Sequence, residues 1–558
     1  MKLPLIIRTS PRWLTALALT SCTSLAASET QPAAGADCRG AQAAILQVND
    51  SYKIEGLENG HIGGFARLRQ LRKQLEAQGE PVLLLHAGDF LFPSVMSKYL
   101  QADAMIQVMN LLDGKAASFD NNMVVVFGNH EFDHPDPGLL LRRIVQSDFA
   151  WLSSNSRYQF SDSGEAEPLS KRLSNVHDVL IKPVGNLRLG LFGLTLDSQQ
   201  PAYIHFDYDP DSRRALVSKA IAALKAQGAE VIIALTHQDL AQDQWLAREF
   251  PEINLIIGGH EHFYTAQQIG NTWISKADAD NQSAILHRLC LSPDQPLASH
   301  HQKIELNDQI EKDPLVSAEV SKQLARLSAE FNKHGQQLNQ IVGYTEQLLE
   351  GVEPAVRGRE TALGNFLADS VRQRMQTDIA LINGGSIRLN DNIRPGPLTR
   401  YDLEGIFYYD NQLVSFALSG QQIVDILRNS VSKSHLGDGR FLQVSGLRFR
   451  YQAQASNDGY QYSIDPADIA IKTRHDHDYR PLVLTKTYRV ASLSFLWEKG
   501  YLDGYSLFAH AAGTTSPPRL DNGQPVSFRK TVEAALARLP RQTITQSLEG
   551  RIIRTENR

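Results

Sequence analysis

At 558 residues the chain exceeds what one ordinary hydrophobic core supports, and two domains of roughly 200–300 residues are expected. A composition of 42% apolar and 21% charged residues is that of a globular protein, which excludes disordered, fibrous and short-repeat classes. The net charge of −5, with no run rich in Lys or Arg, excludes a nucleic-acid surface, so an anionic ligand has to be attracted locally.

The first element is a targeting segment at 1–27. Lys2, Arg8 and Arg12 precede an apolar stretch, Trp13 to Leu19, and then small residues. The stretch is too short to span a bilayer and reads as a bacterial-type export signal. Leu19-Thr20-Ser21-Cys22 resembles a lipobox that would leave a lipid anchor on Cys22, while Ser24-Leu25-Ala26 is an ordinary cleavage site. The apolar stretch ends just before Cys22, which favours the lipobox. The expected location is therefore the periplasm, free or as an outer-membrane lipoprotein. There, Cys38 and Cys290 either form one disulfide or remain two thiols.

Residues 28–40 are small and polar. From 41 to 306, short apolar runs alternate with helical patterns such as Gly64–Ala77 and Ser212–Gln227, which predicts an α/β domain. Five of the runs end in residues able to hold a metal ion. Ala44–Val48 precedes Asn49-Asp50, Val82–Leu85 precedes Gly88-Asp89, and Met123–Phe127 precedes Gly128-Asn129-His130-Glu131-Phe132-Asp133. Val231–Leu235 runs into Thr236-His237, and Ile253–Ile257 into Gly258-Gly259-His260-Glu261-His262. Ligands of open α/β sheets gather outside the carboxyl ends of strands. Asp50, Asp89, Asn129, His237, His260 and His262 are thus expected to converge. Mixed oxygen and imidazole donors suit Mn, Fe, Co or Zn. Asp89 could bridge two ions roughly 3.5–4 Å apart.

The segment Tyr158–Leu173 is polar and reads as a loop or hairpin on the domain rim. A linker follows at 307–340, where Pro314 opens a helical pattern through His334. A second domain of different chemistry occupies 341–558. Arg357-Gly358-Arg359-Glu360-Thr361 precedes a helix beginning near Leu363. A strand, Ile379–Ile382, ends in Asn383-Gly384-Gly385-Ser386-Ile387-Arg388, whose glycines allow a turn that brings Asn383 and Arg388 to one face. Arginine offers planar, multi-donor recognition of phosphate.

The five blocks resemble the metallophosphoesterase signatures. With the continuation beyond residue 340, the chain from Ile45 to Leu507 resembles the secreted 5'-nucleotidase family, which includes UDP-sugar hydrolases and cyclic-nucleotide phosphodiesterases. The resemblance implies a four-layer α/β/β/α metallophosphoesterase domain, a connecting helix and a C-terminal α+β nucleotide-binding domain. It implies two divalent ions (Mn, Zn, Co or similar) on the six residues above, with His130 and Asp133 as the catalytic pair. It places Arg357, Asn383 and Arg388 on phosphate and ribose, Phe441 and Phe495 as aromatic plates for the base, and Asp503 on the ribose. Three departures stand out. The family usually reads Asp-x-His at the first block, where this chain reads Asp50-Ser51-Tyr52 and resembles a branch of the family with Asn-Asp-x-Tyr. A phenol is a poor ligand unless a cation draws off its proton, so a first site held by Asp50, Asp89 and His262 plus water, weaker or differently selective than the usual one, is expected. Two extra residues before Asp503 leave Trp497 and Tyr501 as alternative second plates. The family's Pro-Phe-Gly-Asn block reads Tyr408-Tyr409-Asp410-Asn411.

Two ions would polarise phosphate oxygens and make hydroxide available near neutral pH. His130, oriented by Asp133, would protonate the leaving group. The leading expectation is hydrolysis of nucleoside 5'-monophosphates. The alternatives are a UDP-sugar pyrophosphatase, a 2',3'-cyclic-nucleotide phosphodiesterase or 3'-nucleotidase, and a nucleotide-binding protein that has lost catalysis. With metals on one domain and base contacts on the other, the reaction centre is expected between them, and product release is expected to need domain rotation. The oligomeric state is left open.

Overall fold

The computed structural model describes residues 38, 40–80, 82–160, 164–197, 202–293, 295–456, 459–508 and 525–556. The export segment, with Cys22, lies outside the described residues. In the first domain, strands Ala41–Val48, Val82–His86, Asp120–Val126 and Phe149–Leu152 run parallel, and Ser283–Leu291 and Ala298–Glu305 extend the sheet antiparallel at one edge. A second sheet centres on Leu187–Thr195, Val231–His237, Leu255–Gly258 and Thr272–Lys276, also parallel.

The two sheets pack face to face through Ile45, Leu83, Leu85, Val124 and Val126 against Leu189, Leu191, Val231, Ile233 and Leu235. On the outer face of the first sheet, Leu46, Leu84 and Val125 meet the helices Phe65–Ala77, Asp103–Met109 and Pro137–Val145. Helices Pro210–Ala226 and Leu240–Glu249 cover the other sheet. The result is the four-layer α/β/β/α order. Strands buried on both faces lose the alternation of a half-exposed strand, which is why the runs read as continuously apolar.

Helix Pro210–Ala226 starts two residues earlier than its periodicity suggests. Asp209 Oδ1 accepts from the backbone N–H of Asp211 and Ser212, and Pro210 fills the first turn. Part of the segment 158–173 pairs in a small three-stranded sheet, Ser156–Tyr158, Glu167–Pro168 and Ile204–Phe206. Cys38 and Cys290 are joined as a disulfide, with Cα atoms 6.0 Å apart, beside the register pair Ala41–Leu291.

Helix Pro314–Lys333 buries Val316, Val320, Leu327 and Phe331 in the core of the first domain. The second domain is built on a sheet of Leu413–Ser419, Thr487–Leu493, Ile379–Asn383 and Leu442–Ser445. Helices Ala362–Met375 and Phe528–Arg538 cover one face, and Gly420–Val431 covers the other.

Candidate metal centre and substrate cleft

The strand ends converge. Asp50, Asp89 and His237 offer ligand atoms all within 4.8 Å of one another, and all three are buried. His237 Nε2 lies 3.1 Å from Asp89 Oδ2, and His262 Nε2 lies 3.1 Å from Asp50 Oδ1. The Tyr52 hydroxyl enters the same group, 3.2 Å from both Asp89 Oδ2 and His262 Nε2. The His260 ring stands 5.3 Å from that of His237, with its Nε2 3.5 Å from Asp239 Oδ1. Asn129 is buried nearby in the turn that joins Asp89.

The ligand-bearing turns include left-handed backbone. Asp50, Asp89, His260 and His262 have φ of 50°, 59°, 89° and 62°, each costing on the order of 1–3 kcal/mol in a side-chain-bearing residue. Two buried networks hold these turns. Glu131 points inward: its Oε1 accepts from the N–H of Phe90 (2.8 Å) and Leu91 (3.0 Å), its Oε2 from Asp89 (2.9 Å) and Gly128 (2.5 Å). Lys276, wholly buried, donates to the carbonyls of Gln238 (2.7 Å) and Gly259 (2.8 Å) and pairs with Asp243 (3.0 Å) and Glu261. The two loops approach so closely that a Cβ on Gly88 would sit 2.6 Å from the Gly128 nitrogen.

The cluster fits divalent cations. Among the described residues, Asn129 Oδ1 is buried without a hydrogen-bond partner, Asp50 Oδ1 and His237 Nε2 face only other members of the cluster, and the donor set is the mixed oxygen–imidazole kind. Burial disfavours a charged His237, yet Asp89 and Asp50 outweigh it and push the imidazole up to about 9. His262 rises to about 10 against the same penalty, through Glu353 first and then Asp50. Burial pushes the Asp89 carboxyl up, but His237 and His130 bring it below the usual carboxylate range. Groups this negative attract cations, and cation binding releases the imidazole protons.

The second domain meets the centre from the other side. His130 Nδ1 lies 2.8 Å from Asp133 Oδ2, and its Nε2 accepts from Arg388 Nη2 at 2.9 Å. Arg388 Nη1 donates to Glu353 Oε1 at 2.6 Å, and Arg357 pairs with the same carboxylate. Arg357 Nε and Arg388 Nε are buried without partners among the described residues. The solvent-facing ring of Tyr409 lies 5.6 Å from the Arg388 guanidinium and meets Tyr408 edge-on at 5.0 Å.

Asn383 sits at the expected strand end, where its Oδ1 accepts from Ser386 Oγ at 2.7 Å. Burial and Asp438 push the carboxyl of Asp503 up to about 6, against the pull of Arg440 and Arg357. Phe495 is half-buried at the start of helix Ser494–Lys499. Trp497 packs on Phe416, with ring centroids 5.3 Å apart, and Tyr501 is exposed.

One assignment needs correction. Phe441 is wholly enclosed in the core cluster with Leu427, Val444 and Leu496, so its ring has no free face for a base. Its carbonyl instead accepts from Gly384 N at 2.7 Å and fixes the Asn383 turn. The aromatic face beside the arginines belongs to Tyr409. Glu131, Glu261, Lys276 and Glu353 were also missed. The first two sit between or beside ligands in His-Glu pairs, a signal that could have singled them out. Lys276 and Glu353 carry no local signal.

The calcineurin-like phosphoesterase family matches residues 43–264, and the 5'-nucleotidase C-terminal domain family matches 341–510. The chain is 25% identical over 516 residues to a snake venom 5'-nucleotidase of Crotalus adamanteus, covering 85% of this chain and 81% of that protein. The structure of a 5'-nucleotidase precursor from Thermus thermophilus superposes with a TM-score of 0.72 at 25% identity, covering 92% of this chain and 99% of that one. A Thermus thermophilus sulfate thiohydrolase, SoxB, shares the fold at a TM-score of 0.65 and 16% identity, covering 92% and 96%.

Proposed function

Because the chain belongs to the 5'-nucleotidase family and is a metal-dependent phosphohydrolase, we propose that it releases phosphate from nucleoside 5'-monophosphates with two divalent ions. The observation that carries this reading is the meeting of two surfaces at His130. On one side stands a buried carboxylate–imidazole cluster. On the other, a pair of arginines lies beside an exposed aromatic ring.

Asp50, Asp89, His262 and the Tyr52 hydroxyl would hold one ion, and Asp89, Asn129, His237 and His260 the other. When bound, the ions activate water and polarise the phosphate. Arg357 and Arg388 bind phosphate oxygens, and their unpartnered Nε donors are then satisfied. Entry of phosphate separates Arg388 from His130 Nε2, which frees that nitrogen to face the ester oxygen. Once free of Arg388, His130 Nε2 takes up a proton from solvent, and Asp133 stabilises the resulting imidazolium through Nδ1; as water oxygen bonds to phosphorus and gives its proton to solvent, the P–O5' bond breaks and His130 passes its proton to the departing oxygen. Tyr409 stacks on the base, and Asp503 accepts from the ribose hydroxyls. The disulfide supports an exported protein.

The test is phosphate release from AMP, UDP-glucose, a 2',3'-cyclic nucleotide and an aryl phosphate, before and after chelation. AMP should be the fastest substrate, with activity lost to chelator and restored by Mn or Zn. Activity on AMP undiminished by chelation refutes the reading, and preference for UDP-glucose or the cyclic nucleotide replaces the substrate.

A further inference from the structure

Glu353 opens the short helix Glu353–Val356 of the second domain and is 3% exposed. Its Oε2 lies 2.6 Å from Nδ1 of His262, the ring whose Nε2 faces Asp50 and the Tyr52 hydroxyl. Its Oε1 is shared by Arg388 and Arg357. A carboxylate on the far nitrogen of a ligating imidazole fixes the ring's tautomer and orientation and raises its basicity.

The other imidazoles of the centre are steadied from within the first domain. His237 Nδ1 rests 2.7 Å from the Ala87 carbonyl, and the His260 ring reaches Asp239. His262 alone takes its carboxylate partner from across the domain boundary. The contact exists only while the domains are together, as they are here through Lys53–Asp391 (2.8 Å) and Tyr99–Glu404 (2.9 Å).

We propose that Glu353 is a positioning residue through which closure of the second domain tightens the cation held by Asp50 and His262. The same carboxylate holds the two phosphate-binding arginines, so substrate and cation are coupled through one side chain. This rests on reading the cluster as a two-cation centre.

The experiment is Mn(II) titration of the full chain, with free Mn(II) followed by electron paramagnetic resonance and bound metal by elemental analysis. The parent should bind two ions. Glu353→Gln should weaken one of them roughly 10- to 100-fold, the range for loss of a ligand's outer partner, and leave the other unchanged. Asp391→Ala, which removes the Lys53–Asp391 contact between the domains and leaves the Glu353–arginine pairs in place, should weaken the same ion. Equal affinities in parent and Glu353→Gln overturn the proposal. Should Glu353→Gln not fold, the unchanged affinity of Asp391→Ala overturns it instead. A parent that binds no Mn(II) defeats the reading of the centre itself, a distinct outcome.

Discussion

Replacing Lys276 by Met should cost more than any other single change away from the ligands. The ammonium is wholly buried and is the cation shared by Asp243 and Glu261, themselves buried. It also satisfies the carbonyls of Gln238 and Gly259. Methionine keeps the volume and removes the charge, which leaves two carboxylates and two carbonyls without that donor. Breaking a buried ion pair from one side costs about 3–5 kcal/mol, a large part of the roughly 5–15 kcal/mol typical of a whole domain. The damage falls on the turn that carries His260 and His262, since Glu261 and the Gly259 carbonyl both lie in it. Urea unfolding followed by tryptophan fluorescence should show a lower midpoint for Lys276→Met, and elemental analysis should show lost metal. Lys276→Met with Glu261→Gln should recover part of the midpoint, because less uncompensated charge is left behind. A single variant within about 1 kcal/mol of the parent and fully metallated would refute the argument.

His130→Ala should keep its metals by elemental analysis yet lose about 10²- to 10⁴-fold in kcat on AMP, the usual worth of a proton donor. Tyr409→Ala should raise KM for AMP by roughly 5- to 150-fold, corresponding to about 1–3 kcal/mol of stacking, and leave an aryl phosphate unaffected. Burial and Asp438 push the Asp503 carboxyl up to about 6, and its ionised form accepts from two hydroxyls more strongly than the neutral acid. KM for AMP should therefore climb as pH falls through 6, while Asp503→Asn flattens the profile; a parent profile that is already flat removes Asp503 from the ribose.

The strand ends were legible because each ligand follows a run buried on both faces, and that pattern survives in one dimension. Aromatic roles were not, since a buried core ring and a pocket ring have the same local sequence signature: Phe441 went to the core, and Tyr409, in the departing block, faces the arginines. Glu353 escaped notice because what defines it is His262, far earlier in the chain and on another domain. The Cys38–Cys290 bond, spanning 252 residues, has no local signal either.

The connecting helix shares a core with the first domain, so it travels with that domain as a rigid strut. What is left to bend is the short stretch 334–340. Within it Leu338 inserts its side chain into the first core while its carbonyl accepts from Tyr401 N of the second domain. That residue is thereby fastened to both halves at once, so the covalent link between them is secured at this brief joint rather than along the long helix before it.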